Sequence, residues 1–250
     1  MIISIANQKG GVGKTTTAVT LAAYLAHGRQ VILLDLDPQA NATTALGLDE
    51  KELETTIYEV LVDGESLDDA LLPTHHPGLR LVPSARRLAG AEVEMVNMMD
   101  REGRLARALQ AATTHFDLAI IDCPPSLGML TVNALVASDS VLVPVQCEYL
   151  ALEGLGQIMH TIDLVRDSLN PRLSLLGVLM TMHDGRTNLS SQVVEEVRNH
   201  FPNVTFDAVI PRNVRLTEAP SFGKTILEYD PSSRGAVAYS ALAQEVAARL

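Results

Sequence analysis

The residues Lys9-Gly10-Gly11-Val12-Gly13-Lys14-Thr15-Thr16 follow directly on the apolar run Ile2–Ala6. Their types and spacing suit one task, the holding of phosphates. A strand that ends in a glycine-rich loop and opens a helix aims successive backbone N–H groups at one point, and the helix N-terminus adds partial positive charge. Lys14 is then placed to neutralise the β- and γ-phosphate oxygens of a nucleotide, and the Thr15 hydroxyl to complete the shell of a Mg²⁺ ion. The usual phosphate loop has glycine five residues before Gly13, where this chain has Gln8. Lys9 with Gly10 stands in its place, so the cradle carries two lysines instead of one.

Carboxylates gather at the same end of the chain's apolar runs. One run closes with Asp35-Leu36-Asp37-Pro38-Gln39 and another with Asp122-Cys123-Pro124-Pro125. In an open parallel sheet, ligands bind beyond the carboxyl ends of the strands, so Asp35, Asp37 and Asp122 are predicted to converge on the phosphate loop. Any one of them alone reads as a helix cap or turn residue. Three carboxylates near a polyphosphate call for a cation, whose waters they can orient for in-line displacement. Asp122, after Ala119-Ile120-Ile121, has the apolar-strand-then-Asp form of a magnesium-site carboxylate.

The elements that must position these groups alternate. Short apolar runs at Ile2–Ala6, Gln30–Leu34, Leu79–Pro83, Leu118–Ile121, Ser140–Val145, Leu173–Met180 and Val204–Ala208 read as strands. Helical patterns fill the gaps, clearest at Thr15–Ala26, Leu150–Ser168, Leu189–Phe201 and Gly235–Leu250. Runs of Val, Ile and Leu without polar alternation are the mark of strands covered on both faces. The prediction is an α/β fold, a doubly wound, mostly parallel sheet with helices on both faces, as one P-loop domain over residues 1–250. The acidic stretch Asp49–Leu72 reads as a helical excursion at the sheet edge.

Composition narrows the partners. The chain is 47% hydrophobic and 20% charged, ordinary for a soluble globular protein. No apolar run approaches the ~18 residues that span a bilayer. No export signal precedes the phosphate loop, and Cys123 and Cys147 make no disulfide framework, so a cytoplasmic protein is expected. The net charge of −11 is unevenly placed: residues 1–171 hold 22 Asp and Glu against 11 Lys and Arg, whereas residues 172–250 hold 8 of each. The last third can therefore gather arginines on one face, and arginine is the better fork for phosphate.

Six separated motifs together resemble the ParA/Soj-type partitioning ATPases, which carry a deviant Walker A loop. They are Asn7–Thr17, Leu34–Gln39, Ile121–Ser126, Asp184–Asn188, Ile210–Arg215 and Glu218–Lys224, and they cover nearly the whole chain in order. The resemblance implies ATP and Mg²⁺ as cofactors and a homodimer with two nucleotides sandwiched between subunits. It places Lys14 on its own subunit's phosphates and Lys9 on the partner's, with Gly10 allowing the backbones to approach. Residues Lys9 to Thr16 and the pair Pro211 and Asn213 would hold ATP, the latter at the adenine. Asp37 would orient the hydrolytic water, and Thr15 with Asp122, the latter through water, would serve the metal. The resemblance further implies nonspecific binding of double-stranded DNA by the ATP dimer through Arg186, Arg215 and Lys224, slow intrinsic hydrolysis, a stimulating ParB-like partner, and a nucleoid-associated protein.

Three rivals share parts of this pattern. A MinD-like ATPase attaches to membrane through a C-terminal amphipathic helix, but Ala241–Leu250 has one arginine, no lysine and no aromatic residue, a poor anchor and a better packed helix. A redox iron protein would need Cys123 and Cys147 in glycine-rich surroundings, which neither has. A sequence-specific repressor would need a helix-turn-helix ahead of the loop, and only six residues precede Asn7. A nucleotide switch acting on replication or transcription proteins stays open.

Overall fold

The inner strands are apolar along most of their length, with polar residues such as Asp35 and Asp122 at their ends, and this pattern calls for a sheet with helices on both faces. The computed structural model describes residues 1–250. Its strands are Ile2–Ile5 (β1), Val31–Asp35 (β2), Leu72–Pro73 (β3), Leu79–Val82 (β4), Leu118–Asp122 (β5), Ser140–Gln146 (β6), Ser174–His183 (β7) and Thr205–Pro211 (β8). They form one sheet in the order β3-β4-β2-β5-β1-β6-β7-β8, parallel except for β3. All five residues of β2 and of β5 are buried, as the absence of polar alternation requires.

The helices are Lys14–Leu25 (α1), Asn41–Ala45 (α2), Ile57–Val62 (α3), Leu88–Glu94 (α4), Arg104–Ala111 (α5), Met129–Ala137 (α6), Ala151–Ser168 (α7), Asn188–His200 (α8), Val214–Glu218 (α9), Ile226–Tyr229 (α10) and Arg234–Arg249 (α11). Successive strand residues supply opposite cores. Val31, Leu33 and Ile120 pack with α1 and α11, while Ile32, Leu34 and Ile121 pack with α3 to α8. The chain moves to one side of β1 for β2 and to the other for β6, so β1 sits at the switch point where a crevice opens above the sheet. Register completes the placement: Asp122 at the end of β5 lies level with Ile5 of β1 and with Asp35 of β2.

Two stretches differ from the sequence reading. Asp49–Leu72 holds a 3₁₀ turn, Glu50–Glu52, capped by Asp49, and α3, capped reciprocally by Thr56 and Glu59. It then runs into β3, a two-residue antiparallel edge strand whose Pro73 lacks the donor a central strand needs. Strands β7 and β8 also run past their predicted ends, β7 through Thr181 to His183 and β8 through Val209 and Ile210 to Pro211. Pairing continues through Gln146 with Thr181 and through His183 with Pro211, because the ladder needs only backbone groups, and hydropathy does not mark the polar end of β7.

Candidate nucleotide-binding site

The loop from Ala6 to Gly13 joins β1 to α1. Gly11 and Gly13 have φ of +75° and +91°, the left-handed region in which a side chain is strained. Gly13 caps α1 without a side-chain hydrogen bond, so the first-turn N–H groups stay available to a ligand. The loop is fastened from two strands. Asn7 Nδ2 donates to the Pro144 carbonyl at 2.7 Å while its Oδ1 accepts from the Lys9 N–H at 3.0 Å. The Thr181 hydroxyl donates to the Val12 carbonyl at 2.8 Å. Asn7 and Thr181 are both buried and were not singled out from sequence as site residues, although Asn7 lies inside the first motif.

The carboxylates separate into distinct environments. Asp35 accepts from the Thr43 N–H at 2.9 Å, the Thr43 hydroxyl at 2.8 Å and the Asp37 N–H at 3.1 Å. It therefore builds the start of α2, and burial pushes its pKa up to about 6 against those hydrogen bonds. Asp37 accepts from the Gln39 N–H at 2.9 Å, and its carbonyl accepts from Ser84 Oγ at 2.8 Å. Asp122 is wholly buried and neither of its oxygens has a hydrogen-bond partner. Burial, and then the Asp35 charge, raise its pKa well above the usual range, while the facing Thr15 hydroxyl and the Lys14 ammonium pull the other way. An orphaned buried carboxylate beside a threonine hydroxyl is a hard oxygen donor set, and it fits a magnesium ion with its waters.

The two lysines are held differently. Lys14 is 7% exposed, donates to the Lys9 carbonyl at 3.2 Å, and has its pKa lowered by burial against the pull of Asp122, Cys123 and Asp37. Lys9 turns outward, with Nζ 3.1 Å from Glu148 Oε2. Glu148 also meets Arg212 at 3.4 Å and accepts from Gln146 at 2.5 Å. Gly10 is uncrowded within the subunit: an added Cβ would meet only Pro125, at 4.0 Å. Cys123 and Cys147 are buried, with thiols pushed up by desolvation, Cys147 to about 12, which makes both inert packing residues.

Pro211 and Asn213 line a cleft of about 250 Å³ that reaches Gly13 and Thr16. Asn213 Oδ1 caps α9 through the Arg215 N–H at 2.9 Å. Next to it lies a cleft lined by His183, Asp184, Arg186, Arg212 and Arg234 together with Gly185 and Pro211. Arg186 grips Asp184 through Nε at 2.9 Å and a second nitrogen at 2.7 Å, holding that carboxyl below its usual range. Arg215 lies elsewhere, paired with Glu218 at 2.8 Å and Asp230 at 3.5 Å. Lys224 lines a third cleft with Thr15, Thr16 and Asn41. The structure thus groups Arg186 with Arg212 and Arg234 and leaves Arg215 and Lys224 apart. Arg212 stood inside a quoted motif, whereas nothing in the sequence marked Arg234 or Glu148.

Known proteins match along the same span. The AAA-domain family matches residues 1–175. The sporulation initiation inhibitor protein Soj of Bacillus subtilis is 56% identical over 248 residues, 99% of this chain and 98% of the relative. The chromosome partitioning protein ParA of Myxococcus xanthus is 54% identical over 249 residues, 99% of this chain and 88% of its own. Among solved structures, the cobyrinic acid a,c-diamide synthase of Mycobacterium smegmatis with bound ADP and magnesium superposes with a TM-score of 0.85 and 41% identity, covering 97% of this chain and 92% of that one. Identity this high, carried from the first strand through the last helix, places the chain in the Soj/ParA family of chromosome-partitioning proteins.

Proposed function

We propose that this protein is an ATP-driven partitioning switch, working as one unit over residues 1–250, that binds DNA when two subunits close on ATP and Mg²⁺. The observation that carries the reading is the pairing of a two-lysine phosphate loop with the orphaned Asp122 carboxylate. Lys14, fixed inside its own loop, is placed to hold the β- and γ-phosphates. Thr15 and Asp122 are the groups that would hold the metal, Asp122 through water. When bound, Mg²⁺ neutralises charge on the phosphate oxygens. Asp37, at the rim of the crevice, would orient the hydrolytic water.

Lys9 is surplus to its own subunit's cradle and is parked on Glu148. A second subunit supplies the nucleotide it lacks, and the cation it brings completes charge stabilisation at the γ-phosphate. Gly10 has room on its own subunit, so its lack of a side chain serves an approach from outside. The arginine cleft of Arg186, Arg212 and Arg234 would take phosphates of double-stranded DNA, with Arg215 and Lys224 as outlying contacts. Hydrolysis without help would be slow, as in other phosphate-loop switches. A ParB-like partner would quicken it, in a cytoplasmic, nucleoid-associated cycle. Attachment to membrane through α11 is disfavoured, because Tyr239, Leu242 and Val246 are buried and Tyr239 is bonded to Thr17 at 3.0 Å; no helix is long and apolar enough to cross a membrane.

The test is binding to random-sequence duplex with no nucleotide, ADP and ATP, each with Mg²⁺, at two salt concentrations. Binding with ATP alone, weakening steeply as salt rises, is the expected result. Equal binding in all three nucleotide states, or none in any, overturns the reading.

A further inference from the structure

Glu92 on α4 is 30 residues upstream of Asp122 in the chain, yet its carboxylate stands at the end of the Asp122 loop. Oε1 of Glu92 is buried and has no hydrogen-bond partner. The group beside it is Gly128, the N-cap of α6, which has extended backbone and no side chain with which to cap the helix. A Cβ built on Gly128 would lie 1.9 Å from Glu92 Oε1 and 2.8 Å from its Cδ. The carboxylate thus fills the space a cap residue would use, at the positive end of a nine-residue helix.

That helix end is not free to move alone. Thr131 in the first turn of α6 donates to the Ser126 carbonyl at 2.5 Å. Ser126 belongs to the segment Cys123–Gly128 that leaves Asp122, and Pro125 of that segment is the nearest neighbour of Gly10. Behind Glu92, α4 is anchored by Leu88 and Ala91, both fully buried. Its opposite face carries Val93, 74% exposed. One side chain therefore links a surface helix to the loop between the orphaned carboxylate and the phosphate cradle.

We propose that Glu92 is a positioning residue for the Asp122 loop. Its carboxylate makes no hydrogen bond to α6 but wedges beside Gly128, and by that contact holds Cys123–Gly128 against the phosphate loop. The inference rests on the ATP and magnesium reading for its functional consequence, but its structural core does not.

Hydrogen exchange of the nucleotide-free full chain tests that core directly. Glu92→Ala should speed exchange over residues 126–132 while the strands stay protected, and Glu92→Gln, which keeps the shape, should exchange like the wild type. In fluorescent-ATP titrations, Glu92→Ala should raise the Mg²⁺ midpoint and Glu92→Gln should leave it where the wild type has it. Gly128→Ala should lower Tm in the wild-type background and be tolerated in Glu92→Ala, where the clashing atoms are gone. Wild-type exchange in Glu92→Ala, or an additive Gly128→Ala cycle, overturns the inference. If the wild-type chain bound no Mg·ATP, the functional reading would fail, while the exchange and cycle results would still decide the role of Glu92.

Discussion

Replacing Asp122 by Asn should make the nucleotide-free protein more stable and its ligand response weaker. The carboxylate is buried with both oxygens unpartnered, and an unsatisfied buried group costs about 1–3 kcal/mol, more when charged. The amide of the same shape stays unpartnered but carries no charge, so it should recover only the charged share of that cost, about 1 kcal/mol or more at pH 8, or roughly 2–4 °C in Tm per kcal/mol for a chain of this size. The sign of the pH dependence is fixed. The folded pKa of Asp122 lies well above 3.8, so ionisation opposes folding: the relative stability is full below the unfolded value and is lost as pH rises through the folded one. On lowering the pH from 8 toward 5, the wild-type protein should close the gap on Asp122→Asn. The assay is thermal unfolding at both pH values, with and without Mg·ATP. The variant should lose most of the magnesium-dependent rise in Tm that the wild type shows. A lower nucleotide-free Tm for Asp122→Asn at pH 8, or a gap that ignores pH, would refute the reasoning that this carboxylate is held unpaired for a cation.

Other perturbations separate the remaining roles. Gly10→Val should shift Tm by no more than about 2 °C, since only Pro125 is near, yet abolish the ATP-dependent dimer in light scattering. Asp37→Ala should trap an ATP-bound dimer that still binds DNA, whereas Lys14→Ala should bind no nucleotide in a fluorescent-ATP titration. Arg234→Ala should weaken DNA binding and reduce the log–log salt slope by about one, and Arg186→Glu should lose DNA while still dimerising by sedimentation. Normal DNA binding by both would remove the arginine cleft from the proposal.

What the sequence disclosed, and what it hid, follows from the range of the interactions. Buried strands with no polar alternation announce a parallel sheet, and the strand-to-helix glycine loop announces itself through residue types that few other structures need. Those features are local in the chain. The sheet order is not, but once β1 lies between β5 and β6 the carboxylates must meet above it, which is why reasoning from strand ends could bring Asp122 to the loop. It could not separate Asp35 from Asp122. The two stand side by side in register, and the donors from Asp37 and from Thr43, two and eight residues downstream of Asp35, turn one into a brace and leave the other bare. Glu148, Arg234 and Glu92 were invisible for the same reason. Glu148 and Glu92 each meet a residue distant in the chain, and Arg234 joins a cleft with Arg186 and Arg212, each through one side chain of a common type with no spacing rule to betray it. In this fold the glycine-rich loop is written in consecutive residues, whereas Glu148, which pairs with its first lysine, and Glu92, which stands against Gly128, are written only in the packing. A search for how the proposed switch is regulated therefore begins with those lone long-range carboxylates and not with the motif.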